Sequence, residues 1–127
     1  MKEYTRLPDT EQDVMNVLWQ AQQPLTGAQI TQALSTTHDW ACTTVLTLLQ
    51  RLERKGFAAR EKGEHGYLYH AAVTQQEYLP QASRSILDRL FAGSARHFMA
   101  ALNSEEKLTL DDIEELQQYL EELKREL

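Results

Sequence analysis

The sequence predicts a mainly α-helical fold with one small β-hairpin. Three observations support this prediction. Apolar residues recur at steps of three and four through most of the chain, helix-capping residues precede several of these stretches, and two strand-like runs flank a turn that contains glycine. The 127 residues, of which 42% are hydrophobic, suit one compact unit or a small domain with an appendage, built around a modest core.

Two helices are predicted in the first part of the chain. One runs from about Asp9 to Gln20, and we expect Asp9 to cap it with Gln12 as its capping-box partner. A second capping box, formed by Thr26 and Gln29, begins the next helix. The residues that this second helix is expected to bury are Ile30, Ala33 and Leu34.

The third helix, from about Ala41 to Lys55, has the clearest pattern. Its apolar residues form one stripe at positions i, i+3, i+4 and i+7, namely Val45, Leu48, Leu49 and Leu52. Gly56 follows a basic last turn, which is typical of a helix end. Trp40 precedes the helix, and we expect it to hold this helix on the core.

A β-hairpin is predicted directly after the third helix. The runs 57–61 and 67–71 are strand-like, and the turn between them contains Gly63 and Gly66. Because the tyrosines at 67 and 69 alternate with Leu68, at least one tyrosine should pack inward. The order helix, helix, helix, hairpin predicts an N-terminal winged helix, which is a variant of the helix-turn-helix.

The rest of the chain is predicted to be helical, and we divide the chain into a winged-helix domain at 1–73 and a helical domain at 74–127. A short helix near residues 74–78 should be interrupted by Pro80, and Gly93 weakens the apolar stripe that starts at Ser83. Thr109 is expected to cap the last helix, with Asp112 three residues on.

The last helix carries a heptad-like apolar seam but is otherwise acidic. Because such a helix has little core of its own, we expect the seam to be buried against a second copy, which predicts a homodimer. The residues predicted to form the dimer interface are Leu90, Phe91, Phe98, Leu102, Ile113, Leu116, Leu120 and Leu123.

The side of the third helix opposite its apolar stripe is polar. Hydroxyl, amide and guanidinium groups of this kind contact bases and phosphates in the DNA major groove. An ordinary solvated helix surface has a similar composition, and the winged-helix order of elements favours DNA. Wing cations contact the flanking backbone. The residues predicted to bind DNA are Thr43, Thr44, Leu46, Thr47, Gln50, Arg51 and Arg54 on the helix, and Arg60, Lys62 and His65 near the hairpin tip. For His65 alone, a solvated turn is the favoured interpretation.

The distribution of charge is compatible with a nucleic-acid partner although the net charge is −6. Residues 74–127 hold six basic and eleven acidic residues, whereas residues 40–71 hold five basic and three acidic residues. The local basic patch governs DNA affinity. Because this patch is weak, we expect DNA binding to require a dimer.

Several other classes of protein are disfavoured. No stretch has the length and apolar character of a membrane span, and the N-terminus lacks the apolar centre of a signal peptide, so a cytoplasmic location and no membrane partner are expected. Cys42 is the single cysteine, and we expect it to be a small semi-buried residue. No nucleophile–base pair, phosphate loop or zinc motif is present, so neither an enzyme nor a cofactor is expected.

Two segments resemble the penicillinase-repressor family (BlaI/MecI/CopY): Glu11-Gln12-Asp13-Val14-Met15-Asn16-Val17-Leu18-Trp19, and the run from Trp40 to Phe57. Leu110-Asp111-Asp112-Ile113-Glu114-Glu115-Leu116 is also similar to that family's last helix. The resemblance implies a homodimeric transcriptional repressor. Such repressors bind palindromic operators in double-stranded DNA ahead of resistance or homeostasis genes. It also implies that the third helix enters the major groove with Thr43, Thr44, Thr47 and Arg51 at the matching positions.

Three departures from the family pattern bear on how the protein works. Leu46 stands where some members carry a basic residue, which implies altered operator choice or affinity. Ala101-Leu102 replaces the Asn-Phe bond of members that are released by proteolysis, and the C-terminal cysteine cluster of the copper-responsive branch is absent. The alternatives to operator binding are a winged-helix adaptor that binds protein, and a thiol- or metal-responsive regulator that acts through Cys42.

Overall fold

The computed structural model describes residues 4–105 and 107–127 of the chain. Its elements are α1 (Asp9–Gln20), α2 (Gly27–Leu34), α3 (Cys42–Arg54), β1 (Ala58–Gly63), β2 (Gly66–Ala71), α4 (Gln75–Phe91), α5 (Ala95–Glu105) and α6 (Leu110–Glu126). The predicted mainly α fold with one hairpin is confirmed. None of the predicted site residues lies outside the described ranges, whereas the first three residues of the predicted winged-helix domain do.

The chain forms two compact units, and the sequence boundary between them falls after Ser83. The first unit holds a continuous core from α1, α2, α3, the hairpin and the start of α4. The buried hydrophobic residues of this core are Leu7, Val14, Met15, Leu18, Ile30, Leu34, Val45, Leu48, Leu49, Leu52, Phe57, Ala58, Tyr69, Val73, Tyr78 and Ala82. Ala33 is exposed, so the prediction that α2 buries it is wrong.

The start of α1 differs from the sequence prediction. Asp9 is already the first helical residue, Pro8 occupies the cap position, and no side chain accepts a hydrogen bond there. The predicted capping box is therefore wrong, and the Gln12 side-chain amide instead donates to Asn16 Oδ1 at 2.9 Å. Because Pro8 has a fixed φ and an extended ψ, it ends the preceding segment without a polar cap.

The capping box predicted for α2 is confirmed. Gln29 N donates to Thr26 Oγ1 at 3.1 Å, and Thr26 N donates to Gln29 Oε1 at 2.9 Å. These two hydrogen bonds satisfy backbone donors that the first turn of a helix leaves without a partner. They fix the position at which the chain enters α2.

The hairpin is antiparallel, with its register running from the pair Ala58–Ala71 to the pair Gly63–Gly66. The loop before α2 adds a third strand-like contact, since Leu25 N donates to Tyr69 O at 3.0 Å and Tyr69 N donates to Leu25 O at 2.7 Å. Tyr69 is buried whereas Tyr67 is 46% exposed, which confirms the predicted inward tyrosine. The hairpin is thus hydrogen-bonded to the same loop that positions α2.

Pro80 lies inside α4 and does not interrupt it, so the predicted break is wrong. A proline removes one helical hydrogen bond. The residues around it supply compensating contacts, because Tyr78 and Ala82 are buried in the core and the Tyr78 hydroxyl accepts a hydrogen bond from Leu7 N at 2.7 Å. With these contacts, the first compact unit extends to Ser83, whereas the sequence predicted a boundary after residue 73.

The second unit contains the end of α4 with α5 and α6. α4 ends at Phe91 because the next two residues are left-handed, Ala92 at φ 49° and Gly93 at φ 82°. The Gly93 N–H donates to Leu87 O at 3.0 Å. The predicted weak point at Gly93 is thus a break between two helices. The capping box predicted at Thr109 and Asp112 is confirmed, with both hydrogen bonds formed at 3.0 and 3.1 Å.

Candidate nucleic-acid interface

Core packing determines which side of α3 faces outward. The predicted stripe of Val45, Leu48, Leu49 and Leu52 is buried, with each residue at most 5% exposed. The opposite side, which we call the polar face, is exposed at every predicted position, namely Thr43, Thr44, Thr47, Gln50, Arg51 and Arg54. The polar face is therefore available to a partner along the whole helix.

The chain just before α3 is tied to α1 by a small polar and aromatic cluster. The Trp40 ring packs against the core and stacks on His38 with ring centroids 3.8 Å apart. His38 Nε2 lies 2.7 Å from Asp13 Oδ2 on α1. Trp40 therefore holds this end of the helix on the core as predicted, although α3 begins two residues later, at Cys42.

Two ion pairs hold the other end of α3. Lys55 Nζ lies 2.6 Å from Oε1 of Glu11, a carboxylate on α1 that is 3% exposed, and Glu53 Oε2 lies 3.3 Å from Arg60 Nε on β1. The role of Glu11 was not predicted from the sequence. An acidic residue at an inward position of an amphipathic helix is the signal that could have indicated it. The two pairs fix α3 against both α1 and the hairpin.

The polar face presents two arginines available to a partner and a threonine hydroxyl that is partly used in a hydrogen bond within the helix. Among the described residues, no carboxylate lies within 4 Å of the Arg51 or Arg54 guanidinium group, so both can contact phosphate or guanine. The Thr47 hydroxyl donates to Thr43 O at 3.0 Å, which leaves its methyl group and an acceptor lone pair outward. These groups match the donors, acceptors and apolar contacts that major-groove recognition requires.

Arg60 lies in the middle of β1 opposite Tyr69, so its predicted place near the hairpin tip is wrong. Besides its pair with Glu53, its guanidinium carbon sits 4.2 Å from the ring centre of Tyr67. A hydrogen bond with Tyr69 raises the pKa of Arg60, reinforced by the nearby Glu53 carboxylate. Arg60 therefore remains charged but is largely occupied in joining the hairpin to α3.

The hairpin tip presents the other two predicted wing residues. Lys62 and His65 are both exposed, and His65 lies in the turn between β1 and β2. No carboxylate among the described residues comes within ion-pair distance of the Lys62 ammonium group. Lys62 is thus the freer cation of the wing.

Leu46 and Cys42 lie on the flank of α3 that faces α2 and the hairpin. Leu46 is 36% exposed and packs over Gly27, where an added Cβ would come within 2.9 Å of Leu46 Cδ2. Cys42 is exposed, so the expectation of a semi-buried thiol is wrong: as the first residue of α3 it precedes the helix's buried stripe. Both residues line a groove of about 370 Å³, whose other walls are Thr26, Gly27, Ala28, Gln50, Arg60, His65, Tyr67 and Tyr69.

The second unit leaves most of its apolar side chains uncovered. Among its described residues none is buried, and Phe91 and Phe98 are partly covered through an edge-to-face contact with ring centroids 5.3 Å apart. The remaining residues predicted for dimerisation are exposed, with fractions of 65% for Leu90, 46% for Leu102, 41% for Ile113, 38% for Leu116, 55% for Leu120 and 36% for Leu123.

Comparison with known proteins identifies the family. A family model described as penicillinase repressor matches residues 7–122. The chain belongs to this family. The penicillinase repressor of Bacillus licheniformis is 30% identical over 124 residues, which cover 98% of this repressor and 96% of the relative. The transcriptional regulator BlaI of Mycobacterium tuberculosis is 31% identical over 123 residues, which cover 97% of this repressor and 88% of the relative.

A solved structure supports the fold of the first unit. The solution structure of the monomeric form of Bacillus licheniformis BlaI in complex with the blaP half-operator is similar with a TM-score of 0.52 and 28% identity, over 61% of this repressor and 94% of that chain. The predicted winged helix is confirmed, and the family is one of transcriptional repressors and not of enzymes. In residues 4–105 and 107–127, no helix combines the length and apolar character that a membrane span needs.

Proposed function

We propose that this transcriptional repressor binds a palindromic double-stranded operator as a homodimer and that each subunit places α3 in one major groove. The observation that carries the proposal is the polar face of α3, which is exposed throughout while the helix is fixed to α1 and the hairpin. A rigid helix with outward hydroxyl, amide and guanidinium groups is suited to base recognition. Because the helix is already ordered, little conformational entropy is lost on binding.

Each residue has a role suited to its chemistry. Gln50 can pair with adenine through its amide, and Arg51 with guanine or phosphate through its fork of donors. Thr43 and Thr44 lie in the first turn of α3, where hydroxyl groups and helix N–H groups can contact phosphates. The residues that would contact the flanking backbone are Arg54, Lys62 and His65, with Arg60 supporting the hairpin.

The dimer follows from the uncovered apolar side chains of the second unit. A leucine seam along α6 that stays exposed in the single chain would be removed from water by a second copy. Two copies also double the weak basic patch, and they place two α3 helices on half-sites about one helical turn apart. The B. licheniformis BlaI monomer in complex with a half-operator supports one half-site per subunit.

The cellular setting of the proposal comes from the family. Relatives named penicillinase repressor and methicillin resistance regulatory protein support a role in negative regulation of resistance or homeostasis genes. Because operator DNA is the target, we propose that the protein acts in the cytoplasm.

The DNA-binding proposal is tested by selecting a duplex from a random-sequence library with the full chain and titrating that duplex in gel shifts. Thr47→Ala and Arg51→Ala should each weaken binding by about 1–3 kcal/mol for every base interaction that the substitution removes. Arg125→Ala removes an exposed arginine at the end of α6 and should leave the affinity unchanged. Equal effects of Arg51→Ala and Arg125→Ala would show that α3 contributes only general charge.

The dimer is tested by sedimentation equilibrium. Leu116→Glu places a charge in the α6 seam and should shift the protein to monomer, because an unpaired charge in an apolar interface is costly. Leu79→Glu is the matched control, since Leu79 is 46% exposed in α4 and lies outside the predicted interface. A Leu116→Glu protein that stays dimeric at the same concentration would contradict the proposed interface.

A further inference from the structure

One large apolar side chain adjoins the polar face of α3. Within this helix, all of whose residues the structure describes, Leu46 is the large apolar residue outside the buried stripe, and 36% of its surface is exposed. Thr43, Thr47 and Gln50 lie within one turn of it and are exposed as well. A leucine neither donates nor accepts a hydrogen bond, so it cannot recognise the polar groups of any base edge.

Leu46 is held in place from one side. The space that a Cβ of Gly27 would need is filled by Leu46 Cδ2, at a distance of 2.9 Å from the ideal Cβ position. The side chain therefore rests directly on the first turn of α2. Its other side contributes to the groove of about 370 Å³ between α2, α3 and the hairpin. A side chain that already packs on a neighbouring helix loses less rotamer freedom on contacting a ligand than one surrounded by water.

We infer that Leu46 is a specificity-determining residue, which contacts the 5-methyl group of one thymine in each operator half-site. This inference rests on the proposed function, since it requires the polar face of α3 to lie in the major groove. There the thymine methyl is the apolar feature of the base-pair edges, and apolar side chains distinguish T·A pairs by covering it. Leu46 would remove the methyl group from water beside the polar contacts of Gln50.

The test uses the duplex selected by the full chain. Each thymine is replaced in turn by deoxyuridine, which pairs identically and lacks only the 5-methyl group. For the unaltered protein, one symmetric thymine position should lose affinity about fourfold per methyl removed, and roughly 15-fold when both half-sites are changed together. The same replacements should have no effect on binding by Leu46→Ala, whereas Leu46→Met, which stays apolar and long, should retain the sensitivity.

Three further outcomes separate this inference from the proposed function. If the protein binds the duplex but no deoxyuridine replacement changes its affinity, the inference is wrong and operator binding stands. If Thr47→Ala abolishes the sensitivity while Leu46→Ala retains it, the methyl group is contacted by Thr47 and the inference is also overturned. If no duplex is selected at all, the proposed function itself fails. Comparing the urea unfolding midpoints of Leu46→Ala and Leu46→Met verifies that both variants are folded.

Discussion

The ion pair between Glu11 and Lys55 should respond asymmetrically to mutation. The Glu11 side chain is 4% exposed and the Lys55 side chain is 40% exposed, with 2.6 Å between Oε1 and Nζ. Lys55→Met leaves a buried carboxylate without its cation. Removing one partner of a buried pair costs about 3–5 kcal/mol, and water near the lysine screens the pair, so we expect a loss of about 3 kcal/mol in the free energy of unfolding.

Glu11→Gln should cost only about 1 kcal/mol, because the amide oxygen still accepts a hydrogen bond from Lys55 and the lysine can turn to water. The double variant Glu11→Gln/Lys55→Met should therefore be more stable than Lys55→Met alone, since it no longer buries an unpaired charge. Urea unfolding measures the stability of all three variants. The protein concentration is kept the same throughout, because the proposed dimer would make stability depend on concentration.

Lys62→Met is the matched control for these variants. It removes an exposed lysine that has no ion-pair partner among the described residues, and it should change stability by less than about 0.5 kcal/mol. A double variant that is as unstable as Lys55→Met, or less stable, would show that the buried carboxylate does not dominate the cost.

The same unfolding assay checks two further predictions. Tyr78→Phe should lower stability by about 1–3 kcal/mol, because the buried N–H of Leu7 loses the hydroxyl that accepts it at 2.7 Å; a change below about 0.5 kcal/mol would indicate that water replaces that hydroxyl. Gly27→Ala should cost less than about 1 kcal/mol, because its Cβ would meet Leu46 Cδ2 at 2.9 Å and the end of this flexible side chain can shift, and Leu46→Ala should remove that cost in a double-mutant cycle. Additive effects of these two substitutions would contradict the proximity of Leu46 to Gly27.

The predictable parts of the fold rest on local patterns. The stripe of α3 has the helical period, so its buried residues and the opposite polar face followed from sequence alone. The capping boxes at Thr26 and Thr109 were also predictable, because both partners lie within three residues of each other. The cap at Asp9 was wrong because Pro8 already provides the geometry that ends the preceding segment.

The remaining features depend on contacts between distant parts of the chain. Pro80 stays helical because Tyr78 and Ala82 are buried by residues far away in sequence, and no local rule weighs that burial against a missing hydrogen bond. Arg60 forms an ion pair with Glu53 and interacts with Tyr67 and Tyr69, and these contacts depend on how the hairpin packs against α3. A basic residue near a predicted turn is therefore weak evidence for a DNA contact. A polar residue opposite the buried stripe of a helix is stronger evidence, because the stripe determines which side of the helix faces solvent.

Dimethyl sulfate footprinting of the selected duplex shows whether α3 of each subunit lies in the major groove. The reagent methylates guanine N7 in the major groove and adenine N3 in the minor groove. We predict protection of guanine N7 in two clusters about one helical turn apart, with the protection abolished in Arg51→Ala. Protection confined to adenine N3, or a single cluster from a bound dimer, would show that two α3 helices do not occupy successive major grooves.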